Sequence, residues 1–160
     1  MLERGSVGAA VLSDPVMTMF SRRHPDAPIL AVVRTAQGVR EVYGTETYVC
    51  AVLMSRGSWL QSNPDLARRL ARAVNHTLRW IHTHSIEEIT KQTPEQLGGS
   101  DPALFAAALR ASLPSLPENA RFEQAGVEAV IKVLKVADAG KRLEKVELEK
   151  TYTNDFAAEE

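Results

Sequence analysis

Val7-Gly8-Ala9-Ala10-Val11-Leu12-Ser13-Asp14-Pro15-Val16-Met17-Thr18-Met19-Phe20-Ser21-Arg22-Arg23-His24-Pro25 is the stretch whose reading decides the fold. Val7–Leu12 is a short apolar run bounded by small and polar residues, which reads as a buried strand. Ser13 or Asp14 can then cap a helix, with Pro15 at its first position and Arg22, Arg23 and His24 at its negative end. Pro25 stops it. Strand, tight turn and helix in succession predict an α/β architecture.

Working outward, Ile29–Arg34 and Tyr48–Met54 repeat the first signal, each a short β-branched or apolar run flanked by turn formers. The character changes near residue 60. Asn63-Pro64-Asp65 opens a helix predicted to reach about Ser85, with Leu66, Leu70, Val74, Leu78 and Ile81 on one stripe. Ser85-Ile86-Glu87-Glu88 is a capping box for a short helix that ends before Pro94. Asp101-Pro102 caps an alanine-rich helix reaching about Ser112, and Leu113–Pro117 is a rigid linker. A last helix, Glu123 to Ala137, places Val127, Val130, Ile131 and Leu134 on its buried face, with Gly140 closing it. Lys145–Thr153 reads as a final strand or extended segment, and Ala157–Glu160 as a frayed end.

Bulk properties narrow the function classes. The chain has 160 residues, 44% hydrophobic and 24% charged, which suits a soluble globular protein. Its 19 Lys+Arg against 20 Asp+Glu give a net charge of -1, so no basic excess exists to hold nucleic acid. The single cysteine, Cys50, rules out an intrachain disulfide and reads as a buried small hydrophobe within Tyr48–Met54. Met1–Ser6 lacks the layout of a signal peptide, and no apolar run approaches the roughly 20 residues that span a bilayer. A few hydrophobic strands with so many apolar helices make a poor self-contained sheet, so the chain reads as part of something larger or as a dimerising piece.

Three segments carry a family resemblance. Gly8-Ala9-Ala10-Val11-Leu12-Ser13-Asp14-Pro15 resembles the strand and turn of solute-binding proteins of ABC importers, in the nitrate/sulfonate/taurine and thiamine-precursor group. Tyr48–Leu60 followed by Asn63-Pro64-Asp65-Leu66 is similar to that family's strand and helix block. Tyr152-Thr153-Asn154-Asp155-Phe156 looks like its closing segment. Gly8 departs from the family, which commonly has Asp there.

The resemblance implies a type II periplasmic-binding-protein fold of two lobes, with short strands in the first third followed mostly by helices. Residues 1–55 would then be a remnant of the second lobe and the hinge crossing, and residues 56–160 a helical part packing on the first lobe. It further implies a solute-binding component for a small polar or anionic compound, docking on an ABC permease. The full-length protein would be periplasmic or extracellular and membrane-associated, with the N-terminal half absent here. Ligand contact falls on Ser13, Asp14 and Pro15, and on Thr47 and Tyr48, which precede the third expected strand. Asp14 facing the cleft would repel an anion, so a cationic or neutral polar ligand fits as well as a sulfonate.

Other candidates have plainer readings. His76, His82 and His84 lack metal-ligand spacing and suit a solvated helix face. Asn75-His76-Thr77 matches a glycosylation sequon but falls inside the predicted helix. Trp59 and Trp80 read as packing anchors. No nucleophile–base pair, phosphate loop or paired catalytic carboxylates can be assembled, so neither enzyme activity nor a cofactor is expected. The alternative reading is a stand-alone module of this fold that homodimerises through exposed strands or the Asn63–Ser85 helix without binding ligand.

Overall fold

The computed structural model describes residues 1–139 and 143–157. Regular structure among them is helical: α1 (Val16–Arg23), α2 (Ala36–Tyr43), α3 (Gly57–Ser62), α4 (Pro64–Thr83), α5 (Ile86–Gln92), α6 (Glu95–Gly98), α7 (Pro102–Ser112) and α8 (Gln124–Leu134). A π-helical turn, Lys135–Ala139, continues α8. No β-strand occurs among the described residues. This corrects the expected α/β class and the type II periplasmic-binding fold with short strands in the first third.

The reason lies in pairing rather than in local preference. Residues 9–13, 28–33 and 47–56 are neither helical, turned nor bent, as their β-branched and apolar content favours. Yet no backbone hydrogen bond joins Val7–Leu12, Ile29–Val33 or Tyr48–Met54 to another described segment. A strand exists only where a neighbour takes up its N–H and C=O groups. The side chains follow suit: Val11, Leu30 and Met54 are 103%, 86% and 90% exposed. Cys50 is exposed too, against the expectation of burial.

Contacts divide the chain into two units, Met1–Leu30 with His84–Leu113, and Ala31–Thr83 with Pro114–Glu160. In the first unit, α7 packs against α1 and α5, and Ile89 and Ala108 are buried. Its helices start where local chemistry directs. Asp101 accepts a hydrogen bond from the Leu104 N–H ahead of Pro102, and Ser85 and Glu88 form the capping box.

In the second unit, α4 buries Ala67, Ala71 and Asn75. That face lies one residue round from the expected leucine stripe, and Leu66 and Leu70 remain 43% and 45% exposed. Small residues let a neighbour approach closely, and the neighbour here is the segment holding Ala120, whose N–H donates to Asn75 Oδ1 at 2.7 Å. Burial of Asn75 also removes the sequon from any glycan. α8 buries Val127, as expected, together with Gly126 and Ala129, while Val130 and Ile131 are half-buried and Leu134 is 37% exposed.

α2 begins at Thr35, whose hydroxyl accepts from the Gly38 N–H, and ends at Gly44 with φ 76°. Gly38 is required by a close approach, since a Cβ there would run into the Val32 carbonyl.

The C-terminal segment is also corrected. Residues 145–153 form no strand and include a 3-10 turn at Leu148–Lys150. Ala157 is not frayed: it is buried, and its carbonyl accepts from Arg121 Nη1 at 3.2 Å. Gly140 and residues 158–160 lie outside the described residues. Among the described residues no helix is long and apolar enough to cross a membrane.

Candidate functional site

Ser13, Asp14 and Pro15 form the turn into α1, with a cis peptide between Asp14 and Pro15. The Asp14 carboxylate is the pin of this turn. Its Oδ1 accepts from the Thr18 N–H at 3.2 Å and the Thr18 hydroxyl at 2.6 Å. Its Oδ2 accepts from the Ser112 hydroxyl at 2.7 Å, which ties the start of α1 to the end of α7. The Ser13 carbonyl takes the Met17 N–H, while the rest of Ser13 and Pro15 are exposed. A carboxylate fixed at the first turn of α1 takes the place an anion would otherwise occupy. The turn therefore presents a hydroxyl and a negative charge, a combination suited to a neutral or cationic polar group.

Thr47 and Tyr48 belong to the other unit and meet different surroundings. The Tyr48 ring stacks on Tyr43 of α2, with centroids 4.1 Å apart and planes 14° off parallel. Burial, with smaller contributions from Tyr43 and Cys50, holds the Tyr48 phenol above its ordinary pKa. Thr47 packs against α8 at Gly126, where a Cβ would stand 2.9 Å from its Oγ1. That hydroxyl oxygen is buried and has no hydrogen-bond partner among the described residues. Beside this pair, Glu46 forms an ion pair with Arg40.

The turn residues are thus brought together as one local feature. Thr47 and Tyr48 form a second, separate one. Sequence reading missed the partners that shape them. Thr18 stands four residues after Asp14, a helical spacing that could have revealed it. Ser112 and Tyr43 carried no such signal.

The remaining candidates fall out plainly. A ring nitrogen of His82 meets the Pro117 carbonyl at 3.1 Å, and His76 lies with Trp80 along a shallow depression on α4. No group of three or more His, Cys, Asp or Glu among the described residues gathers to hold a metal. Trp59 and Trp80 are half-buried. A recess of about 330 Å³ in the first unit is lined by Thr90, Thr93, Ser100 and Phe105, among others. Its two threonine hydroxyls are committed to the carbonyls of Ile86 and Ile89.

No protein-family model matches the chain, and no curated protein matches it either. The chain is similar to a solved protein structure from Bordetella bronchiseptica, with a TM-score of 0.72 and 25% sequence identity over 90% of this chain. That match takes up 45% of the Bordetella protein, so the chain spans less than half of its structural neighbour.

Proposed function

We propose that this chain is part of the solute-binding component of an ABC importer, for a small polar compound of the sulfonate, nitrate, taurine or thiamine-precursor type. The observation that carries the reading is the Ser13-Asp14-Pro15 turn. It closes the Gly8–Pro15 stretch that resembles the family, and hydrogen bonds from Thr18 and Ser112 hold its carboxylate in place. A rigid turn with an exposed serine offers a polar solute fixed partners at little ordering cost. The fixed negative charge favours solutes with an ammonium or neutral polar group, so taurine fits better than nitrate. In this reading the solute-loaded protein docks on a membrane permease, outside the cytoplasmic membrane. The match takes up 45% of the longer Bordetella neighbour, which fits a chain that is one part of a longer protein.

The test is an amide NMR titration of the isotope-labelled chain with taurine, methanesulfonate, nitrate and an aminopyrimidine, each at millimolar concentration. The expected result is a saturable shift confined to residues near Ser13–Thr18, largest for taurine. Shifts for none of the four, or shifts spread evenly over the surface, would sink the reading. A second reading, a dimerising module without a ligand, is favoured by the exposed apolar residues of the second unit. Its mark is a dimer mass with no shift at Ser13.

A further inference from the structure

α4 carries its charge unevenly. Residues 66–86 hold four arginines, Arg68, Arg69, Arg72 and Arg79, and no acidic residue, in a chain whose net charge is -1. At 3.6 residues per turn, these arginines and His76 fall within roughly 100° of the helix circumference. All five are exposed. Arg68 is committed to Asp65 at 2.9 Å and lies over the Phe156 ring. Arg69, His76 and Arg79 make no hydrogen bond or ion pair among the described residues. The stripe from Arg69 to Arg79 runs about 15 Å along the axis.

An apolar border lies beside the stripe. Going round α4 from the buried Ala67, Ala71 and Asn75, the arginines come first, and Trp80, Leu66 and Leu70 follow. Leu66 and Leu70 are 43% and 45% exposed, and Trp80 is half-buried. His76, Thr77, Arg79 and Trp80 line a shallow depression near the end of the helix. α4 thus buries small residues on one face and shows water both positive charge and apolar side chains on the rest.

We propose that the exposed side of α4 is a membrane-contact surface, which lies on an anionic phospholipid bilayer with Arg69 and Arg79 at the phosphates and Leu66 and Leu70 at the acyl boundary. Three observations select that partner. A face with four arginines and no acid calls for negative charge, and a guanidinium holds two phosphate oxygens at once. The exposed leucines call for an apolar layer directly beneath that charge, which a bilayer supplies and a nucleic acid does not. A single exposed helix is convex and meets a plane, whereas a bound peptide needs a groove between elements. The contact is interfacial, since no helix among the described residues is long and apolar enough to cross. This goes beyond the solute reading and uses none of the Ser13 turn.

The experiment sediments the 160-residue chain with vesicles of phosphatidylcholine alone and of phosphatidylcholine mixed equally with phosphatidylglycerol, at physiological salt. Binding to the mixed vesicles and not to the neutral ones is expected. An arginine near an anionic surface strengthens binding about fivefold, so Arg69→Gln with Arg79→Gln should weaken it ~20-fold or more. Lys132→Gln with Lys135→Gln removes the same charge from exposed positions elsewhere in the unit, and should weaken it less than about threefold. Leu66→Ala with Leu70→Ala keeps every charge and the helix propensity, and should weaken it about threefold or more. Circular dichroism checks that each variant keeps its helices, and the comparison of the two vesicles stands whether or not a variant folds. Equal losses in the two charge pairs would mean attraction by net charge alone, and an indifferent leucine pair would mean an anionic partner without an apolar layer. Either result overturns the proposal, as does failure to bind the mixed vesicles or equal binding to both kinds.

Discussion

Asn154 and Phe122 are joined by a reciprocal pair of hydrogen bonds. Asn154 Oδ1 accepts from the Phe122 N–H at 2.8 Å, and Asn154 Nδ2 donates to the Phe122 carbonyl at 3.0 Å. One side chain thereby does what a strand partner would do for a single residue. Around it the Phe122 ring leans on Tyr152, with centroids 5.3 Å apart, and Arg68 lies over the Phe156 ring. The C-terminal segment is held by this latch in the absence of any ladder among the described residues.

Asn154→Ala removes both bonds and leaves two partly buried backbone groups unsatisfied, at a cost of about 1–3 kcal/mol. Asn154→Asp keeps the acceptor but sets a carboxylate oxygen against the Phe122 carbonyl, so its loss should be at least as large. Chemical denaturation measures the stability, and hydrogen exchange at Phe122 localises it. Equal stability of all three proteins would show that the latch is idle.

Asn75→Ala is the corresponding prediction for α4. Asn75 is 4% exposed and holds the Ala120 N–H, so truncation orphans that donor and opens a small cavity. A loss of about 1–3 kcal/mol is expected, with exchange at Ala120 accelerated before that of α4 itself. If Ala120 exchanges no faster in the variant, the buried asparagine has another role.

These contacts mark the limit of what the chain's order reveals. The capping box at Ser85 and Glu88 and the Asp101-Pro102 start of α7 were legible because each is complete within four residues. The bond from Thr18 to Asp14 sits at a helical spacing of four, within reach of the same reading, and was missed. The bond of Asp14 to Ser112 spans 98 residues and leaves no local trace. The period of α4 was evident, but not that Ala67 and Ala71 would be chosen for burial over Leu66 and Leu70, since that depends on how closely a distant segment approaches. α2 also carried signals that went unused, with Thr35 before it, Gly44 after it and an amphipathic pattern between them, but it is only eight residues long. At Tyr48–Met54 the expected buried strand does not form, because the partner that makes a strand is a property of another segment.

Thr47 supplies the third prediction. Its hydroxyl oxygen is buried without a hydrogen bond among the described residues, so Thr47→Val replaces an unsatisfied group with an isosteric methyl. Stability should rise by about 1 kcal/mol. Gly126→Ala pushes a methyl to 2.9 Å from the same oxygen and should lower stability by about 1–3 kcal/mol. Thermal melts of the two variants give the signs. A destabilised Thr47→Val would mean the hydroxyl has a partner in solution, and its place in ligand contact would gain weight.

The last prediction concerns pH. The Ser85 N–H, at 2.9 Å, and the Ser85 hydroxyl, at 2.8 Å, both donate to Glu88 Oε2. These bonds hold the Glu88 carboxyl below its ordinary value, the backbone one most strongly, with a lesser contribution from His84. A depressed folded-state pKa means the carboxylate's contribution is present above the unfolded value and is lost as pH falls through the folded one. The start of α5 should therefore stay intact through the range where an ordinary glutamate protonates, and loosen only below it. The Ser85 amide proton reports the event, because its shift follows the charge it donates to. In Glu88→Gln that low-pH step should vanish, leaving the start of α5 weaker at neutral pH and indifferent to acid. A Ser85 amide titrating at the ordinary glutamate value would show that the capping box does not persist in solution.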